Sequence, residues 1–284
     1  MDLIIRLPKM LWRSIYDMVN HDGLEHAGYL SFLLMLTIFP FLVFITALLG
    51  FFGNEQLGNL LVSIILNSSW ASFIDSLKPR ILEITSTPPQ SLLTIAILSA
   101  LWTASSIFEG IRTILNRAYR VTETPNYLLR RLFSIIEFLI AISISIGLAI
   151  ILVIVPHISD FVIDLLSIKN AAIIDFLSVE GGTMRFVILV GFAYLLVANV
   201  YHKLPNRKSR LISAFPGTIL VMVGWYLASF LFKYYLSHFP QVNVIYGSIA
   251  GVIISLLYFY ICSIIFIVGA EFNYYMEKFF RMKK

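Results

Sequence analysis

Between Gly28 and Gly53 the chain carries no charged side chain. A helix that crosses the hydrocarbon core of a bilayer needs about 20 consecutive, mostly apolar residues, and this run exceeds that with room for tilt or a kink. Pro40, near its middle, is where a kink is expected. The run starts too late and is too long for the apolar part of a signal peptide, and no small-x-small exit follows it. It is therefore expected to remain in the mature protein.

Five more runs follow, for six expected spans at 28–53, 92–108, 132–155, 185–202, 211–236 and 245–271. The second is short and interrupted by Thr103, Ser105 and Ser106 before Glu109. Bulk chemistry agrees, since 59% of the 284 residues are hydrophobic and 13% are charged, against about a quarter charged in an ordinary soluble domain. The expected fold is all-α: one integral membrane domain over 1–284, with short amphipathic helices at the interface and the lipid bilayer as its first partner.

Basic residues orient such a chain, because short cytoplasmic loops accumulate Lys and Arg. Sixteen of the 21 lie in four alternate segments: the N-terminal arm, the stretch from Arg112 to Arg131, the stretch from Lys203 to Arg210, and the tail from Lys278. Both termini are expected on the cytoplasmic side. The net charge of +5 then has a local cause, and no nucleic-acid motif accompanies it, so no nucleic-acid partner is expected.

Three segments outside the spans look amphipathic. Leu3 to Val19 mixes apolar residues with Arg6, Lys9 and Arg13, with Trp12 and Tyr16 as interfacial anchors. Leu60 to Ile84 suits two short helices on the outer face, and Glu109 to Tyr119 continues the second span. No internal repeat is visible of the kind that halves many transporters.

A metal site is weighed at the entrance to the first span, where His21 and Glu25, and Asp22 and His26, stand four apart. Gly23 weakens the helix this would need, and Asp22 stands where the inverted zincin pattern requires histidine. The expectation is no metal and no cofactor. His157, His202 and His238 are isolated, and Cys262 is alone in the sixth span. Phosphate-loop, nucleophile-elbow and zincin motifs are absent from the sequence, which supplies no reason to expect an enzyme.

Ionisable groups at the rim of spans are expensive and often functional. Glu109, Glu137 and Glu271 are expected near one membrane face, where together with Arg112 and Asn273 they are candidates for a polar cavity; Arg112, Arg130 and Arg131 are candidates to pair with the glutamates. Small residues at helical spacing point to close packing: Ser99, Thr103, Ser106 and Gly110 on the second span, Ser213, Gly217, Gly224 and Ala228 on the fifth, and the Gly247 to Gly251 pair on the sixth. That last pair also leaves room for a homo-oligomer. The short link from Ser237 to Val244 makes the last two spans an antiparallel hairpin.

Several stretches resemble the YihY/virulence factor BrkB family: HDG at His21 to Gly23, SFLLMLTIFPFLVFITALLGFFG at Ser31 to Gly53, LWTASSIFEGIRTILNRAYRV at Leu101 to Val121, FPGTILVMVGWYLASFLFKYYL at Phe215 to Leu236, and VIYGSIAGVIISLLYFYICSIIFIVGAEFNYYME at Val244 to Glu277, with its YGS and GAE-x-N elements. The resemblance implies a six-helix bacterial inner-membrane protein with both ends inside. Members have carried a ribonuclease label and an association with serum resistance, but the His/Asp ligand cluster of a metal-dependent nuclease is not visible in this chain. Two functional readings remain. One is transport or translocation of a lipid or small envelope solute as cargo; the alternative is a non-catalytic envelope scaffold that binds partner proteins.

Overall fold

The computed structural model describes residues 2–51, 93–122, 125–149, 182–207, 209–238 and 250–282. Among them there are helices and their connections and no strand, as a bilayer requires of a chain that must satisfy its backbone hydrogen bonds within each segment. The helices are α1 (Asp2–Asn20), α2 (Gly23–Phe51), α3 (Leu93–Ala118), α4 (Tyr127–Ala149), α5 (Gly182–Lys203), α6 (Phe215–His238) and α7 (Ala250–Met282), with a 3-10 turn at Leu211–Ala214 before α6. Three are long and apolar enough to cross a membrane among the described residues: Phe186–Lys203, Leu211–Tyr235 and Gly251–Arg281.

Helix ends and the expected span ends do not coincide. The fifth apolar run opens as a 3-10 turn, and α6 begins at Phe215 with Pro216 in its first turn, where the missing N–H has no intrahelical partner to lose. The last helix runs on past Glu271, where the sixth expected span ends. Helix α7 continues to Met282, and its 33 residues give a rod of about 50 Å, well beyond a hydrocarbon core of about 30 Å. Its final turns carry the platform on which α1 rests: Met10 is buried with Phe272, Met276 and Phe279, while Trp12, Tyr16 and Val19 face outward. The expected kink at Pro40, the outer helices at Leu60 to Ile84, Gly247 and the tip of the last hairpin fall outside the residues whose side chains are described.

Helix α7 is the hub. Phe266, Ile267, Val268 and Ala270 share one core with Leu30 of α2, Ile114 and Leu115 of α3, Tyr201 of α5 and Val221 of α6. The approach of α6 to α7 is set by glycine: a Cβ on Gly217 would collide with the Gly269 carbonyl oxygen and with Asn273, and one on Gly269 with Val221 and the Tyr201 hydroxyl. Gly224 meets Ile265 in the same seam, and Gly110 of α3 lies against Leu33 and Tyr29 of α2. In an apolar solvent such close van der Waals contact is the main source of helix association. The opposite faces are apolar and open, with Phe186, Val187, Tyr226, Phe230 and Leu231 all more than half exposed, as lipid-facing surfaces are.

Tyr201 is fully buried, stacks on Phe266 with ring centroids 4.8 Å apart, and donates its hydroxyl to the Phe266 carbonyl at 2.6 Å. Tyr201→Phe is expected to cost about 1–1.5 kcal/mol, read as a lower midpoint of thermal unfolding in detergent. An unchanged midpoint would mean that the hydroxyl adds nothing to the α5–α7 contact.

Candidate functional site

Because successive helices alternate in direction, the start of α2, the end of α3, the start of α4, the end of α5, the start of α6 and the end of α7 meet at one end of the bundle. The ionisable residues that flank each apolar run therefore meet as well. They form three groups.

The first group surrounds Arg112, which is 2% exposed. One guanidinium nitrogen donates to Glu109 Oε2 at 3.2 Å, to the Arg130 carbonyl at 2.9 Å and to Ser134 Oγ at 2.9 Å. The other terminal nitrogen donates to Glu137 Oε2 at 2.5 Å, and Nε reaches the Leu204 carbonyl at 3.3 Å. One planar, permanently charged fork thus joins α3, α4 and the end of α5, a geometry that lysine cannot reproduce. Glu137 pairs with Arg112 rather than with Arg130 or Arg131, the neighbours that the sequence brings nearest. Arg130 turns to Glu109 at 3.4 Å. Arg131 lies over the Trp102 ring at 4.0 Å, donates to the Trp102 carbonyl and reaches Ser106 Oγ at 3.1 Å.

The second group surrounds Arg120. Helix α3 closes with Val121 N–H donating to the Asn116 carbonyl at 2.8 Å and Arg120 N–H to the Arg117 carbonyl at 3.0 Å, the double bond pattern of a Schellman cap. Arg120 occupies the left-handed position of that cap, with φ 57°, where glycine is usual and a side chain costs about 1–2 kcal/mol. The compensation is visible: its guanidinium bridges Glu271 at 2.6 Å and Asp17 at 2.8 Å and lies over the Tyr274 ring at 4.4 Å. Tyr275 donates its hydroxyl to the same Asp17 oxygen. His21 sits in the turn between α1 and α2, its Nδ1 3.6 Å from Glu271 Oε1. Asp22, with φ 55°, separates the two helices, so the His21 to Glu25 spacing does not lie on one helix. The two pairings weighed at this turn are not the contacts that form. Asp22 pairs with Arg117, and the ligand types that converge are Asp17, His21 and Glu271.

The third group centres on Asn273, which is wholly buried. Its Oδ1 accepts from the Gly217 N–H at 2.6 Å, one of the donors that the first turn of α6 leaves free, and its Nδ2 approaches the Tyr119 hydroxyl at 3.4 Å. Burial pushes the Tyr119 hydroxyl up to about 12, so it stays protonated. Arg207 lies 3.6 Å from the Tyr119 ring centre and pairs with Glu277 at 2.5 Å.

The glutamates divide between two guanidinium groups: Glu109 and Glu137 belong to the Arg112 group and Glu271 to the Arg120 group. Among the described residues, a cleft of about 290 Å³ lies between α2, α3, α4 and α7, lined by Leu34, Ala104, Phe108, Phe138, Ala141 and Phe259 among others. It is almost wholly apolar. Phe108 and Phe138 directly adjoin Glu109 and Glu137 in the chain, so the Arg112 group lies beside this cleft. The signal available from sequence was the run of small and apolar residues in α3, which reads equally well as packing.

Apolar outer faces, glycine-seamed helices and a charged, interlocked end define a polytopic α-helical membrane protein. The chain belongs to the virulence factor BrkB family, whose profile matches residues 14–283. It is 30% identical over 262 residues to the ribonuclease-like protein YfkH of Bacillus subtilis (strain 168), covering 91% of each chain. It is 26% identical over 267 residues to a UPF0761 membrane protein of Vibrio vulnificus (strain YJ016), covering 91% of this chain and 80% of that one. No solved structure matches it.

Proposed function

We propose that this protein moves a lipid or a small amphipathic envelope solute across a bacterial inner membrane, as a six-span carrier with both termini in the cytoplasm and no catalytic chemistry of its own. The observation that carries the reading is the apolar cleft between α2, α3, α4 and α7 beside the Arg112 group. An apolar cleft of this volume accepts an acyl chain or the apolar part of a solute, and the charged groups beside it stand where a polar head would arrive. Ionisable groups kept within a membrane protein favour such a pathway.

The test is reconstitution in liposomes with a fluorescent phospholipid, followed by quenching from outside. Wild type is expected to speed exchange between leaflets over empty liposomes. Ala141→Phe, which fills the cleft from a half-buried position, is expected to return the rate to that of empty liposomes while the protein stays folded. Wild-type rates equal to empty liposomes for lipid and for entrapped small solutes, with Ala141→Phe indistinguishable, would move the assignment to the envelope scaffold.

A further inference from the structure

Asp17 near the end of α1, His21 in the following turn and Glu271 on α7 come from opposite ends of the chain, and one ligand atom of each lies within 4.8 Å of the others. Ion pairing alone leaves this arrangement incomplete. Arg120 takes Oε2 of Glu271 and Oδ2 of Asp17, and Tyr275 takes Oδ2 of Asp17 as well. Glu271 Oε1 is left facing His21 Nδ1 across 3.6 Å, longer than a hydrogen bond. That nitrogen is itself buried from solvent and has no hydrogen-bond partner. Buried polar atoms are seldom orphaned without a reason.

We propose that Asp17, His21 and Glu271 bind a divalent first-row transition metal of the zinc and manganese class. Two ligands on one tetrahedral ion with bonds near 2.1 Å stand about 3.4 Å apart, close to the observed His21 to Glu271 gap. Imidazole with two carboxylate oxygens suits zinc, iron and manganese rather than the all-oxygen sets of calcium and magnesium. With both carboxylates ionised, two negative charges face the single Arg120 guanidinium, which favours a dication, while Arg120 orients Glu271 through Oε2 and Asp17 through Oδ2. The side chain of His21 is 42% exposed, which supplies an entry path and the freedom to close on an ion. The ion would fasten the α1–α2 turn to α7, with at least one coordination position left for water. This assignment stands independently of the transport reading.

The test uses the full chain, free of any affinity tag, purified in detergent, stripped with chelator and titrated calorimetrically with Zn2+ alone and with Mn2+ alone. One saturable site per chain is expected, with a higher unfolding midpoint in the presence of the bound ion. His21→Gln is expected to weaken binding roughly tenfold or more, the scale seen when even outer partners of a metal are removed, with the metal-free midpoint unchanged because the ring is half exposed. Asp17→Asn is expected to weaken it too. His202→Gln, whose ring is engaged with Ser209 Oγ rather than with this trio, is expected to bind as wild type does. No saturable uptake by wild type, or equal affinity in His21→Gln and wild type, would reduce the trio to an ion-pair cluster and overturn the proposal.

Discussion

Replacing Arg112 by methionine is expected to lower stability by about 3–5 kcal/mol, the range for breaking a buried ion pair by removing one partner. The guanidinium is the shared partner of Glu109 and Glu137 and also holds the carbonyls of Arg130 and Leu204. Methionine fills much of the same space, strands Glu137 and leaves Glu109 with Arg130 as its remaining cation. The comparison that isolates the charge is Arg112→Met combined with Glu137→Gln, which removes the stranded carboxylate and is expected to recover part of the loss. Arg112→Lys should fall between wild type and Arg112→Met, because a point charge cannot span α3, α4 and the Leu204 carbonyl together. Denaturant unfolding in mild detergent, followed by helical ellipticity, provides the measurement. A loss under about 1 kcal/mol for Arg112→Met, the scale of an exposed pair, would mean that the group is solvated and does not lock these helices.

The second large effect is expected at Gly217. A Cβ there would meet the Gly269 carbonyl oxygen and stand 2.6 Å from Asn273 Cγ and Nδ2, and backbone cannot yield as the tip of a flexible side chain can. Gly217→Val is therefore expected to force α6 and α7 apart and to lower stability by about 1–3 kcal/mol from overpacking. A further loss of about 1–3 kcal/mol is expected if Asn273 is displaced and the Gly217 N–H loses its acceptor. Gly224→Ala is the internal comparison. The nearest atoms its Cβ would meet all belong to the Ile265 side chain, which can turn, so a smaller loss is expected. If the two variants melt together, the seam does not depend on the Gly217 to Gly269 crossing.

Arg120 shows where a residue-by-residue reading of sequence stops. Its position, two residues past the last helical residue of α3, is one that glycine normally fills, and its local bond to the Ala118 carbonyl does not call for a full charge there. The explanation lies on α1 and α7: Asp17 and Glu271 need a cation between them, and a left-handed backbone at Arg120 accompanies its placement there. Glu137 teaches the same lesson, since the arginines two turns earlier on its own helix were the obvious partners, yet the charge it meets belongs to α3.

The chain's apolar runs were enough to indicate the helical membrane protein seen in the described residues, and its motifs were enough to place it in its family. Both depend on properties that add up locally: transfer of a side chain to hydrocarbon is set by the residue itself, and backbone satisfaction in lipid admits the helix. Which helices touch, which carboxylate meets which guanidinium, and where an apolar cleft remains open were decided only by the tertiary structure. The reason is geometric. A buried charge selects its partner by distance and desolvation, and those depend on helices that lie far apart in the sequence until the bundle has closed.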